Sequence, residues 1–125
     1  MKFISYKHNS EPKFGIIDNN LITDLTGKIS GANTLKDLIF KNGISEAKTY
    51  ASENPGNISV DDIEYLPLIP NPGKIICVGL NYSEHVKETN RTVEENPVIF
   101  HRFPESQTAH MQAIQRPIAS DNLDF

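Results

Sequence analysis

The sequence predicts an α+β fold, in which a small β-rich module with two short helices precedes a second group of strands. Three observations support this prediction. The N-terminal residues have strand-like patterns, the apolar period then changes to that of a helix, and a proline-rich stretch precedes a new apolar strand. We therefore expect an N-terminal module over residues 1–66, a connector over residues 67–73 and a second domain over residues 74–125.

The strands of the N-terminal module are predicted from three short segments. MKFISYKH alternates between apolar and polar residues, KFGIID is a short apolar run, and NNLITDL follows at once. The Asn19-Asn20 pair lies between two apolar runs, and asparagine tolerates the positive φ that tight hairpin turns require. The sequence thus predicts a β-hairpin turn at residues 19–20.

The two helices are predicted from their capping residues and from apolar spacing. Thr34 with Asp37 three positions later is the pattern of a capping box. The apolar residues that follow at helical spacing are Leu35, Leu38 and Ile39. Asn42-Gly43 predicts the end of this helix. A second helix is predicted from about residue 45 to residue 52, ahead of an Asn-Pro-Gly stop.

Composition excludes several classes of function. A chain of 125 residues is about one domain in length, and its net charge of −4 provides no basic surface for nucleic acid or anionic membranes. No apolar run approaches the roughly 20 residues that span a bilayer, and the polar N-terminal residues lack the apolar h-region that is typical of a signal peptide. Cys77 is the only cysteine, which excludes an internal disulfide. A cytoplasmic protein that binds neither nucleic acid nor membrane is therefore expected.

The segment KIICVGLNYSEHVKET at residues 74–89 joins a strand to a cluster of polar and titratable side chains. The run at residues 74–79 is apolar without alternation, which predicts a strand buried on both faces, with Cys77 as a buried, inert thiol. Ser83 is a suitable N-cap for a short helix that carries His85 and Glu88. Residues three apart lie on one helix face, so these two side chains can touch.

The His85–Glu88 pair has the chemistry of a general base. The first turn of a helix favours the neutral imidazole, while a neighbouring carboxylate favours the imidazolium and orients the ring. A neutral, oriented imidazole next to a carboxylate can activate a water molecule. The alternative is a pair on a solvated helix face, because surface pairs of this kind are common and weak.

The motif KIICVGLNYSEHVKE, with YLPLIPNPG before it and NPVIFHRFPES after it, resembles the start of the catalytic domain in the fumarylacetoacetate hydrolase family. The resemblance spans residues 65–125 and is strongest over residues 74–88. It implies that residues 74–125 open the mixed β-roll of that family, and that residues 1–64 correspond to the variable N-terminal module of many bacterial members. It also implies a homodimer for the intact protein.

The resemblance implies a metal-dependent enzyme that cleaves carbon–carbon bonds in acylpyruvate-type 2-oxo acids. A Mg²⁺ or Mn²⁺ ion would chelate the 2-oxo-carboxylate and stabilise the enolate, while His85 and Glu88 activate water. Other members isomerise or decarboxylate 2-oxo diacids, so these reactions remain alternatives. A further alternative is a non-catalytic module that associates through an unfinished sheet, since unpaired strand edges invite association.

Five more residues are candidates for substrate binding. Asn81 and Tyr82 match the Asn-Tyr pair of the family; they would line the site, or form a polar turn with a half-buried ring. Arg102 stands where many members have lysine, and its guanidinium can bind a carboxylate in bidentate fashion. Ser106 and Gln107 match a substrate loop of one subgroup. The alternatives are a solvated arginine and a polar surface loop.

The sequence departs from the family at the metal ligands. Family members use a Glu-x-Glu pair and a later aspartate, and no Glu-x-Glu follows Arg102. RPIASDNLDF resembles the lead-in to that pair, and Asp121 and Asp124 do not match its positions. A divalent cation needs several convergent oxygen ligands. We therefore expect no metal ligands in this chain, which would be an N-terminal fragment that binds Mg²⁺ weakly and is inactive alone.

Overall fold

The computed structural model describes residues 1–79 and 97–121. The chain divides into two compact units, of which the first is Met1–Pro70 with Thr108–Phe125 and the second is Asn71–Gln107. The expected separate domain over residues 74–125 stays a prediction. Among the described helices, none is both long and apolar enough to cross a membrane.

A five-stranded antiparallel sheet forms the centre of the first unit, with the strand order β4-β3-β2-β1-β5. Its strands are β1 (Lys2–His8), β2 (Glu11–Asp18), β3 (Leu21–Asp24), β4 (Ile58–Ser59) and β5 (Glu64–Tyr65). The two edge strands have two residues each, which leaves little unpaired edge on this sheet. Together with two helices, this sheet confirms the predicted α+β class and the β-rich N-terminal module.

Two tight turns connect the first three strands. Asn19 and Asn20 have φ angles of 49° and 65°, so the predicted hairpin turn is confirmed. Asn9 and Ser10 join β1 to β2 with φ angles of 53° and 65°. This second turn is not predicted from the sequence, because serine is not among the residues that typically occupy positive φ.

Both predicted helices are present, as α1 (Leu35–Phe40) and α2 (Ile44–Glu53). The capping box is confirmed: the Asp37 amide donates to Thr34 Oγ1 at 3.1 Å, and the Thr34 amide donates to Asp37 Oδ2 at 3.1 Å. The hydrogen bond with Thr34 lowers the pKa of Asp37. The box therefore weakens only in acid, where Asp37 takes up a proton. Asn42 has a φ of 55° between the helices, in the position predicted for the helix end.

Replacing Thr34 with alanine is expected to lower the free energy of unfolding by about 1 kcal/mol, because one orphan amide of α1 loses its acceptor. Urea unfolding followed by circular dichroism measures this change. The matched control is Thr49→Ala on the exposed face of α2, where Thr49 Oγ1 donates to the Ser45 carbonyl at 3.2 Å. This control should be neutral or slightly stabilising, since alanine is the better helix former. Equal losses in both variants would contradict the role of the cap.

The sheet carries an apolar cluster on each face. Helices α1 and α2 cover one face, and the buried residues there are Phe14, Ile16, Leu25, Ile29, Ala32, Leu35, Leu38, Ala47 and Ala51. On the other face Ile4, Tyr6 and Ile22 are buried beneath the chain that joins β4 to β5, including Val60 and Ile63. A sheet with both faces covered can bury a core within this short module.

Tyr6 is fully buried in the second cluster, and its hydroxyl has no hydrogen-bond partner among the residues that the structure describes. Burial, and then the charge of Asp24, raise the pKa of Tyr6. Burial also acts to raise the pKa of Asp24, but hydrogen bonds from Thr26 and Lys13 outweigh it, so the pKa of Asp24 is lowered. Asp24 accepts from the Thr26 amide at 2.9 Å and from Lys13 Nζ at 3.1 Å.

Replacing Tyr6 with phenylalanine is expected to leave the free energy of unfolding unchanged at pH 7, or to raise it by about 1 kcal/mol, because an unpaired buried hydroxyl is removed. Above about pH 10 the unfolded tyrosine ionises while folded Tyr6 keeps its proton, so the free energy of unfolding of the wild type falls there. The variant has no hydroxyl at this position, so it should not show this contribution to the decrease. Urea unfolding at pH 7 and at increasing alkaline pH measures both effects. Tyr50→Phe, at a half-exposed position, is the control at pH 7. A loss above about 1 kcal/mol in Tyr6→Phe would contradict an unpaired hydroxyl.

Candidate functional site

Four of the seven predicted site residues lie outside the described residues. These are Asn81, Tyr82, His85 and Glu88, all within residues 80–96. Their proposed roles stay predictions. The structure does describe the strands on either side of this segment and the loop that carries the other three residues.

The segment 80–96 is flanked by an antiparallel pair of strands, β6 (Ile75–Gly79) and β7 (Val98–Arg102). Gly79 pairs with Val98 at the end of the ribbon next to this segment, and Ile75 pairs with Arg102 at the opposite end. The two ends are four residue-to-residue steps apart along the strand, which is about 14 Å. Arg102 is exposed, and its side chain lies on the same face as its partner Ile75.

The burial of β6 differs from the prediction. Ile76 is 64% exposed and Val78 is 48% exposed, on the same face as Ile99, which is 63% exposed. Cys77, on the opposite face, is half-buried. The predictions of burial on both faces and of a buried thiol are therefore wrong for the described part of the chain, where β6 pairs with β7 alone. A two-stranded ribbon is a single layer, so both of its faces are buried only where other elements pack on them.

Ser106 is the last residue of a short 3₁₀ turn, Pro104–Ser106, and Gln107 directly follows that turn. The Ser106 hydroxyl donates to the Phe103 carbonyl at 2.8 Å, and Gln107 Nε2 donates to the Pro104 carbonyl at 3.3 Å. The backbone amides of the same two residues donate to the same two carbonyls, at 3.0 and 3.2 Å. The turn therefore fixes the direction of both side chains. The Ser106 oxygen keeps lone pairs that can accept a hydrogen bond from a ligand.

The described residues do not assemble a metal centre. Within residues 1–79 and 97–121, no three His, Cys, Asp or Glu side chains converge on one point. Asp121 forms an ion pair with Arg116, and Asp124 lies outside the described residues. His110 packs edge-to-face against Tyr65. No catalytic step through a metal ion can be derived from these residues.

Comparison with known proteins places the second half of the chain in a defined family. The sequence model described as "Fumarylacetoacetate (FAA) hydrolase C-terminal" matches residues 74–125. The mitochondrial oxaloacetate tautomerase fahd2 of Xenopus laevis is 34% identical over 85 residues, which is 68% of this chain and 27% of that protein. The fumarylacetoacetate hydrolase domain-containing protein 2 homolog of Dictyostelium discoideum is 39% identical over 54 residues, or 43% of this chain and 18% of that protein.

An uncharacterized protein of Staphylococcus aureus is 29% identical over the whole of this chain, which covers 48% of its length. The chain thus spans less than half the length of each of these three curated relatives. The range matched by the family model contains both strands of the β6–β7 ribbon, the positions of His85 and Glu88, and the turn with Ser106 and Gln107. Through residues 74–125, this chain belongs to the fumarylacetoacetate hydrolase family.

Proposed function

We propose that the whole protein acts on a 2-oxo acid and interconverts the keto and enol forms of a 2-oxo diacid of the oxaloacetate type. The family match over residues 74–125 carries this proposal. The choice of reaction is supported by the relatives from Xenopus laevis and Rattus norvegicus, which are both named oxaloacetate tautomerases. Their names also contain the word mitochondrial, whereas our prediction for this chain is cytoplasmic.

His85 and Glu88 are the proposed proton-transfer pair. The His85 imidazole removes a proton from C3 of the keto acid, which leaves an enolate with its negative charge on the C2 oxygen. The imidazolium then returns a proton to that oxygen, so that the enol forms and His85 is neutral again. Glu88 orients the ring and stabilises its charged form between the two transfers.

Arg102, Ser106 and Gln107 are the proposed substrate-binding residues in the described part of the second unit. The guanidinium of Arg102 is exposed, and it can bind a substrate carboxylate through two parallel hydrogen bonds. The fixed turn presents the Ser106 oxygen and the Gln107 amide as further polar contacts. Asn81 and Tyr82 follow β6 in the sequence after Leu80 and would complete this lining.

A Mg²⁺ or Mn²⁺ ion is implied by the resemblance of the motif to the family. Such an ion, when bound, polarises the 2-oxo group and favours the enolate. The described residues provide no set of ligands for it, so the proton transfer is derived from His85 and Glu88 alone. Weak Mg²⁺ binding by this chain stays a prediction, which calorimetry on the purified chain tests.

Hydrolysis of acylpyruvates is the second reaction that the same residues would support. There, the His85–Glu88 pair activates water for attack on a carbonyl carbon, and the enolate of pyruvate leaves. An assay of the whole protein on both substrates separates the two reactions. Accelerated loss of the enol absorbance of oxaloacetate, without cleavage of acylpyruvates or release of CO₂, is the expected result. Cleavage alone would replace tautomerisation with hydrolysis, CO₂ release alone would replace it with decarboxylation, and no acceleration would reject the proposal.

A non-catalytic role is favoured by one observation, the exposed apolar face of the β6–β7 ribbon formed by Ile76, Val78 and Ile99. The partner in this case is a second copy of the chain, since a homodimer is expected for the family and apolar strands with an unpaired edge associate. Sedimentation of the chain at increasing concentration should then show a dimer that Ile76→Lys abolishes. Ile39→Lys, at a residue of α1 that is 51% exposed, is the control. A monomer at every concentration would contradict this role.

A further inference from the structure

Strand β5 lies at one edge of the central sheet and has only two residues. The Leu66 amide donates to the Ser5 carbonyl at 3.0 Å, so the neighbouring pair, Tyr65 with Tyr6, is of the non-hydrogen-bonded kind. The Tyr65 carbonyl therefore points away from β1, toward the outer edge of the sheet. A strand this short, which pairs with β1 alone among the strands that the structure describes, has little stability of its own.

A tight turn of the same unit, residues 109–112, contacts this outer edge. Gln112 Nε2 donates to the Tyr65 carbonyl at 3.3 Å. The His110 ring packs edge-to-face against the Tyr65 ring, with 4.8 Å between the ring centroids. Ala109, at the start of the turn, is buried. The Gln112 side chain thus donates to the edge carbonyl with which a further strand would pair.

The turn is closed by two hydrogen bonds between its first and last residues. The Gln112 amide donates to the Ala109 carbonyl at 3.1 Å, and the Ala109 amide donates to Gln112 Oε1 at 3.3 Å. Met111 has a φ of 63°, a left-handed conformation that is unfavourable for a residue with a Cβ atom. Its side chain is 85% exposed, so packing of Met111 does not offset this strain. Strain of this kind persists where neighbouring contacts hold the backbone.

Release of β5 from β1 would open the second apolar cluster of the sheet. Tyr65 and Ile63 pack against this cluster, in which Tyr6 is fully buried. Local openings begin at segments with few buried contacts, and a two-residue edge strand is such a segment. The contacts of the turn with Tyr65 therefore oppose an opening that would expose part of this cluster.

We propose that residues 109–112 form a strained clasp that holds β5 on the central sheet, with His110 and Gln112 as the two contacts that keep it closed. The clasp is a conformational device within the first unit: when it opens, β5 separates from β1 while the rest of the sheet stays folded. It lies in the range 74–125 that the family model matches, yet it completes the N-terminal module. The inference does not depend on the proposed function.

Amide exchange in the 125-residue chain, measured by NMR, separates local release of β5 from global unfolding. The Leu66 amide donates to β1 and reports on the clasp, while the Leu25 amide, which donates to a carbonyl of β2 at 3.0 Å, reports on the rest of the sheet. His110→Ala and Gln112→Ala should each speed exchange at Leu66 by about two- to tenfold. Exchange at Leu25 should stay within about twofold of the wild type. His110→Phe keeps an aromatic ring and should restore the wild-type exchange.

Met111→Gly tests the strain in the clasp. Glycine adopts the left-handed conformation without a steric cost, so the clasp should close more tightly and exchange at Leu66 should slow by about two- to fivefold. Met111→Ala is the matched control, because it keeps the Cβ atom and removes only an exposed side chain, and its exchange should equal that of the wild type.

Three results would overturn the proposal. Unchanged exchange at Leu66 in either His110→Ala or Gln112→Ala would mean that the turn does not hold β5. Equal acceleration at Leu66 and Leu25 would mean that these contacts stabilise the whole sheet and that β5 does not open separately. Unchanged or faster exchange at Leu66 in Met111→Gly would mean that the clasp is not strained.

Discussion

Replacing His85 with alanine in the whole protein is expected to lower kcat for the 2-oxo acid substrate by about 10²- to 10⁴-fold. The substitution removes the proposed acceptor of the C3 proton, and His85 is the only histidine of the motif at residues 74–88. KM should change little, since Arg102, and not His85, is the proposed ligand of the substrate carboxylate. Steady-state assays on oxaloacetate, and on an acylpyruvate as the second substrate, measure both constants.

Two further variants and one control variant test the proposed roles separately. Glu88→Gln keeps the shape of the side chain but removes the charge that stabilises the imidazolium, so an intermediate loss of kcat is expected. Arg102→Lys should raise KM more than it lowers kcat, because a lysine cannot form the two parallel hydrogen bonds of a guanidinium. His8→Ala, at the end of β1, is the control and should keep wild-type kinetics. Full activity in His85→Ala would remove His85 from the mechanism, whatever the substrate.

Features of the first unit that depend on neighbours in sequence were predictable. The capping box at Thr34 and Asp37, the two helices and the turn at residues 19–20 are each decided within a few residues, and all are confirmed. Local hydrogen bonds and backbone preferences specify such elements before any tertiary contact forms. The α+β class follows from the same signals, because the apolar period changes once along this module.

Features that depend on contacts between distant parts of the chain were not predictable. The apolar run of β6 predicts burial on both faces, yet Ile76 and Val78 are exposed, because burial depends on which layers pack on a strand and not on its own composition. The Tyr65–His110 contact joins residues 45 positions apart, and no local pattern indicates it. The positive φ of Met111, 63°, is not predictable from the sequence either, since methionine is not typical of left-handed turns.

The candidate site also combines features that the sequence predicts with features that only the structure provides. Resemblance of the motif to the family predicts residues and roles without any geometry, as for His85 and Glu88, whose roles stay predictions. The structure adds geometry for Arg102, Ser106 and Gln107, and shows that the latter two are held by carbonyls of their own turn.

Replacing Gly15 with alanine is expected to lower the free energy of unfolding by about 3 kcal/mol or more. A Cβ atom at this position in β2 would overlap the Thr23 carbonyl oxygen of the neighbouring strand β3 and would lie 3.0 Å from Ile22 Cγ2. The oxygen belongs to the backbone, so relief requires β3 to move away from β2. That movement would disturb the pairing of Gly15 with Asp24 and the buried cluster around Ile22.

The sign of this effect distinguishes it from the usual consequence of the same substitution. Glycine-to-alanine changes at unstrained positions stabilise proteins by about 0.4–1 kcal/mol, because the unfolded chain loses conformational freedom. Gly73→Ala provides that reference, since a Cβ atom there has no neighbour within 4 Å among the residues that the structure describes, and its φ is not positive. Urea unfolding should therefore show a lower midpoint for Gly15→Ala and an unchanged or higher midpoint for Gly73→Ala, with similar m values. A Gly15→Ala variant as stable as the wild type would mean that β2 and β3 do not approach as closely as the structure shows.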